Sequence, residues 1–149
     1  MSHNNARELS FQFFYHLQLP LFNDLKEAGP GQDWDAIFNE KISDVSEMTD
    51  LKLDSKSAPY LKEMIELALF DEESIEKAIG PHLQKSIRKL SRVDHTLLIL
   101  AVAELKLAKT PWKVVLNEFI ELAKRYGNKD SSSLINAVLD AYCKREGLK

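Results

Sequence analysis

The sequence predicts an all-α fold. Three observations carry this reading. Apolar residues recur at helical spacing along most of the chain, helix-starting and helix-stopping residues bracket those stripes, and no segment alternates convincingly as a strand would.

The first helix is expected to start at Asn5, which can accept a bond from the Glu8 backbone N–H while Glu8 reaches back, as in a capping box. Leu9, Phe13 and Leu17 follow at intervals of four, with Phe14 beside them, and Pro20 ends the helix. Leu21, Phe22 and Leu25 can form a short helix before the turn Gly29-Pro30-Gly31. Asp33 reads as the cap of a helix carrying Trp34, Ile37, Phe38 and Ile42. Residues 43–56, with Asp44, Glu47, Asp50 and Asp54, read mainly as a mobile connection tacked down by Leu51 and Leu53.

Ser57 is placed to cap a helix through Tyr60, Met64, Leu67 and Leu69. Asp71 opens the next, with Glu72 and Glu73 in the first turn, where negative charge suits the helix dipole. Gly80-Pro81 breaks it, and a basic segment runs from Lys85 to Lys89. Ser91-Arg92-Val93-Asp94 resembles a capping box ahead of a long apolar helix, Leu97 to Leu107. Thr110-Pro111 starts the following helix, through Val115, Phe119 and Leu122 to Tyr126, where Gly127 is expected as a left-handed stop. Asp130 caps the last, through Leu134, Ile135, Val138 and Leu139.

A length of 149 residues fits one domain, 1–149, with one core. Hydrophobic residues at 44% and charged residues at 29% argue against both disorder and a membrane protein. No apolar run reaches the roughly 20 residues of a bilayer span. The first residues, Met1 to Asn5, do not resemble a secretory signal, and the single cysteine, Cys143, rules out an internal disulfide, so a cytoplasmic location is expected. Residues 1–80 hold 7 basic against 16 acidic side chains, net −9, while residues 81–149 hold 13 against 7, net +6. Such asymmetry suits a polyanionic partner, although cations also solvate helix faces.

Catalytic chemistry finds little support. His3, His16, His82 and His95 show no metal-ligand spacing and no Cys-x-x-Cys accompanies them, so neither a metal nor a cofactor is expected. Five glycines include no phosphate-binding loop. Ser86-Ile87-Arg88-Lys89 matches a Ser-x-x-Lys string without a partner motif, and an enzyme is not expected. Lys124-Arg125-Tyr126 admits two readings: two cations and an aromatic can hold phosphate and stack on a base, or they simply solvate a helix end that favours positive charge.

Two stretches go beyond generic helix. Ala6-Arg7-Glu8, Gln12, Tyr15 and Gln18-Leu19 open the chain. Pro111-Trp112-Lys113-Val114-Val115-Leu116-Asn117-Glu118, Glu121-Leu122-Ala123-Lys124, Tyr126-Gly127, Asp130-Ser131 and Asn136 to Asp140 stand near its end. In this order they resemble the NusB family. The resemblance implies two small helical bundles packed as one domain, and a transcription antitermination factor. It would bind a boxA-type RNA with NusE, a ribosomal small-subunit protein, in the RNA polymerase elongation complex. It implies RNA contacts at Arg7, Tyr15, Lys113, Lys124 and Arg125, and partner or RNA-complex roles for Asp94, Trp112 and Asp130. Lys85, Arg88 and Lys89 would add phosphate contacts. Asp94 and Asp130 are also good helix caps, Tyr15 can bridge core and water, and Trp112 can belong to the core.

The chain departs from the family pattern at His3-Asn4-Asn5, where the family carries an arginine run, and at Ser133-Leu134, where it carries a lysine and an aromatic. Fewer fixed cations weaken phosphate binding. The rival reading is therefore a NusB-fold protein-binding or self-associating module with weak or no RNA binding. Monomer and homodimer both remain open.

Overall fold

The computed structural model describes residues 4–16 and 32–148. Among these lie seven α-helices and no strand. The helices are α1 (Asn4–His16), α2 (Gln32–Thr49), α3 (Ala58–Phe70), α4 (Glu72–Ile79), α5 (Arg92–Leu107), α6 (Trp112–Tyr126) and α7 (Ser131–Arg145). Short 3-10 turns, Gly80–His82 and Ile87–Lys89, punctuate the connection between α4 and α5. The all-α expectation holds, whereas Leu17, the stop at Pro20, the short helix at 21–25 and the turn at 29–31 lie outside the described residues. The chain divides into two compact units, Met1–Leu61 and Lys62–Lys149.

In the first unit α1 packs on α2. Ala6, Leu9, Phe13 and Phe14 are buried on α1, as the stripe requires, and Phe11 joins them. The Phe13 and Phe38 rings stand 5.3 Å apart, and Phe38 stands 5.7 Å from Trp34. Offset, tilted rings of this kind add specific attraction to the area they bury. The helix begins at Asn4, so Asn5 is not its cap; its Nδ2 donates instead to the Lys52 carbonyl at 3.2 Å. Asp33 likewise falls inside α2 rather than before it.

The mobile connection expected over 43–56 is corrected in its first half, because α2 continues to Thr49. The reason is periodic. Trp34, Phe38, Lys41 and Val45 are all buried, one stripe spaced by four, three and four residues, and Asp44 and Glu47 occupy the other faces. Val45 alone extends the stripe through a stretch that is otherwise polar and acidic. Asp50 then takes a left-handed φ of 57°, which a short polar side chain tolerates. Asp54 ends the connection, its Oδ1 accepting from the Ser57 N–H at 2.8 Å, and the Ser57 carbonyl accepts from Leu61 to start α3.

The second unit is organised around α5. Residues Thr96 to Leu105 are buried without interruption, so this helix is enclosed on every face. Helices α4, α6 and α7 all contact it. Ser91 Oγ accepts from the Asp94 N–H at 3.1 Å, as the capping motif predicts. Other expected caps are revised. Pro111, not Thr110, stands at the cap position of α6, and neither Asp71 nor Asp130 makes a side-chain capping bond. Gly127 ends α6 with φ −90° and ψ −172°, an extended rather than a left-handed conformation. Glycine is required there for space: a Cβ would lie 2.3 Å from Ser131 Oγ and 2.8 Å from the Ala123 carbonyl. Ala108, exposed at the end of α5, is the residue that adopts the left-handed form, at φ 56°. Ala108→Gly should stabilise the protein by about 1 kcal/mol, read as a raised urea midpoint, because glycine relieves the Cβ strain of that conformation.

Tyr142 on α7 is 5% exposed, and burial pushes its hydroxyl up to about 12 from the ordinary 10.0, with Glu146 and Cys143 adding to the effect. The folded state holds this proton more tightly than the unfolded chain. The associated stability is complete below pH 10 and is lost as pH rises towards 12. Urea melts at about pH 9 and about pH 11 should show a steeper alkaline loss in the wild type than in Tyr142→Phe.

Candidate nucleic-acid interface

The cationic residues fall into separate places. Helix α6 carries two groups at its opposite ends. At its start, Lys113 is exposed and its Nζ lies 5.7 Å above the half-buried Trp112 ring, a cation–π contact. At its end, Lys124 and Arg125 are exposed, with Lys124 Nζ 3.3 Å from Glu121 Oε1. A rise of 1.5 Å per residue separates Lys113 from Lys124 by roughly 16 Å along the axis. One strand can touch both only by running along the helix.

Asp130 follows the second group. Its carboxylate is exposed and makes no capping bond, while its backbone N–H donates to Asn128 Oδ1 at 2.8 Å. The capping role that competed for this residue is therefore not the one its side chain performs. Ser131 is fully buried instead, its Oγ accepting from the Asn128 N–H at 3.0 Å, which sets the corner between α6 and α7.

Asp94 is 6% exposed, in the first turn of α5, and its Oδ1 is buried without a hydrogen-bond partner. Its carboxylate has little surface to present, so any part in a complex requires the start of α5 to open or be met edge-on. In the first unit, Tyr15 is half-buried, its ring 5.6 Å from Phe11 and edge-on to His16 at 6.0 Å. Arg7 is 3% exposed and its Nη1 donates to Asn4 Oδ1 at 3.1 Å. That guanidinium is held within the fold and offers little to a phosphate.

The connection between α4 and α5 is the most uniformly basic stretch. From Pro81 to Arg92 it contains Lys85, Arg88, Lys89 and Arg92 and no acidic residue, and all four cations are exposed. Folding also joins groups that spacing along the chain did not connect. His95 Nε2 lies 2.8 Å from Glu76 Oε2, and together with Glu72 these residues offer ligand atoms within 4.8 Å of one another. No linear signal reveals this, since the histidine comes from the next helix. Arg88 and Arg92 line the same cleft as Glu76 and His95, and their fixed charge opposes a cation there.

The family model described as "NusB family" matches residues 4–144. A transcription antitermination protein NusB from Mannheimia succiniciproducens is 36% identical over 98 residues, 65% of this chain and 68% of that protein. Its counterpart from Shewanella denitrificans is 33% identical over 143 residues, 94% of each chain. A crystal structure of the antitermination factors NusB and NusE in complex with dsRNA contains a chain of similar fold, with a TM-score of 0.73, 27% identity, and coverage of 95% of this chain and 96% of that one. The match runs nearly end to end and includes both described units: the chain belongs to the NusB family.

Proposed function

We propose that this protein is a transcription antitermination factor that binds a boxA-type RNA together with NusE in the RNA polymerase elongation complex. The observation that carries this reading is the near full-length similarity to a chain in a NusB–NusE–dsRNA crystal structure. It is supported by exposed cations at both ends of α6 and along the α4–α5 connection. Among the described residues no helix is long and apolar enough to cross a membrane. The protein works in the cytoplasm, as one functional domain, by binding and without catalysing a reaction.

In this reading Lys113, Lys124 and Arg125 hold phosphates, and Tyr15 and Trp112 offer rings to bases or to the partner. Asp130 presents its free carboxylate to the complex. Arg7 contributes by fixing the first turn of α1, and Asp94 meets the complex edge-on at the start of α5. The test is titration of a labelled boxA-like RNA with and without NusE at two salt concentrations. Salt-sensitive binding that tightens with NusE is the expected result.

A second reading is favoured by one observation: the cation and ring expected on α7 are Ser133 and Leu134 here. A protein-only module would capture NusE, or a second copy of itself, and leave the RNA free at both salt concentrations.

A further inference from the structure

Helices α4 and α5 bring together three side chains of the kind that bind metals. Glu72 and Glu76 stand one turn apart on α4, so both carboxylates project from one face. His95 comes from near the start of α5, and its Nε2 lies 2.8 Å from Glu76 Oε2. One ligand atom from each of the three lies within 4.8 Å of the others, and all three residues are half-buried. Beside them opens a cleft of about 260 Å³, lined by Glu76 and His95 and also by Arg88 and Arg92.

We propose that Glu72, Glu76 and His95 form a zinc-type site, in which two carboxylates and one imidazole hold a divalent transition-metal ion and water from the cleft completes its coordination. The site is independent of the RNA-binding function put forward above.

The donor set selects the ion. Imidazole nitrogen and carboxylate oxygen, at about 2.0–2.2 Å from the metal, are ordinary zinc ligands. Three protein ligands leave a fourth position, and the cleft gives water access to it. Around a tetrahedral ion at those bond lengths, ligand atoms stand roughly 3.4 Å apart. The His95–Glu76 pair must widen slightly and Glu72 must close in, movements that rotation of two half-buried glutamate side chains supplies. The ion replaces the hydrogen between His95 and Glu76. Nε2 binds it through a lone pair, and the neutral ring keeps its one proton on Nδ1. A doubly protonated ring releases one proton to solvent as the metal enters.

Arg88 and Arg92 sharpen the choice. Their positive charge works against any ion held by charge alone. Mg²⁺ and Ca²⁺ take oxygen ligands and gain nothing from an imidazole, so the arginines disfavour them. Zn²⁺, Ni²⁺ and Cu²⁺ gain the nitrogen bond. Coordination from both helices clips α4 to α5 at the base of the basic connection that joins them.

The test uses the full chain, stripped with a chelator and titrated with Zn²⁺ by calorimetry at neutral pH. One ion per chain should bind, and the thermal midpoint should rise with zinc concentration. Glu72→Gln and His95→Gln should each weaken binding at least roughly tenfold, since losing even an outer-shell partner of a metal ligand costs that much. His16→Gln, on α1, should leave it unchanged. Mg²⁺ in excess should not displace the zinc. Melts without metal show that the variants are folded, and if His95→Gln melts early the half-buried Glu72 decides the matter alone. If zinc fails to bind saturably, or binds either folded variant as tightly as the wild type, the site assignment is overturned.

Discussion

Gly127→Ala is expected to destabilise the protein by about 1–3 kcal/mol, the usual cost of forcing extra volume into a packed site. The backbone there is extended and open to any residue, so left-handed strain does not enter. The cost comes from collision. The new methyl would meet Ser131 Oγ at 2.3 Å, Ser131 Cβ at 2.4 Å and the Ala123 carbonyl at 2.8 Å. Two of these cannot turn aside: the carbonyl is backbone inside α6, and the Ser131 Cβ moves only with α7. Relief requires the α6–α7 corner to open, against the bond from Asn128 N–H to Ser131 Oγ. Gly80→Ala is the comparison, since a Cβ there meets nothing within 4 Å and the backbone is already helical. Its one source of strain is Pro81, which disfavours a side chain on helical backbone just before it, so it should destabilise clearly less than Gly127→Ala does. Urea unfolding of both variants decides the matter. Equal midpoints would mean that the corner yields at no cost.

The second large effect concerns binding. Replacing Lys124 and Arg125 together by glutamate should weaken RNA binding by at least roughly tenfold near physiological salt. For single strands each phosphate contact contributes about 0.7 to the slope of log affinity against log salt, so the slope should fall by about 1.4. Stability should barely change. Both side chains are exposed, and the Lys124–Glu121 pair at 3.3 Å is of the surface kind that contributes little. Lys77→Glu, on exposed α4 surface, carries half of the double variant's change in charge and serves as the control for net charge. If Lys77→Glu lowers the logarithm of the affinity by half as much as the double variant does, the effect is long-range field rather than contact, and the end of α6 is not part of the interface.

The fold was legible in the sequence wherever apolar stripes were dense. Helices α5 to α7 lie where the spacing placed them, because ten consecutive buried residues in α5 and the facing stripes of α6 and α7 leave no competing periodicity. The far end of α2 was not legible, since Val45 alone continues its stripe among charged neighbours. Gly127 shows a different limit. The sequence marks it as a helix stop, but the reason is the approach of Ser131, a relation between two helices. Caps divide in the same way. Ser91 does what its spacing predicts, while Asp130 occupies the cap position and leaves its carboxylate outward. Of the candidate site, the cations could be read individually. The enclosure of Arg7 and Asp94, the Glu76–His95 contact and the unpartnered His82 nitrogen depend on how helices meet, and single-chain spacing does not encode that.

The enclosure of α5 also fixes the order in which the second unit gives up its protons to solvent. Amides at the ends of α6 and α7 can exchange with deuterium through local fraying. Those of Ile99 to Ala103 sit in a helix with no solvent-facing side, and they reach water only when α4, α6 and α7 come away together. Their exchange rates should therefore converge on a single value that reports global unfolding, and the centre of α5 should be the last segment in this unit to label.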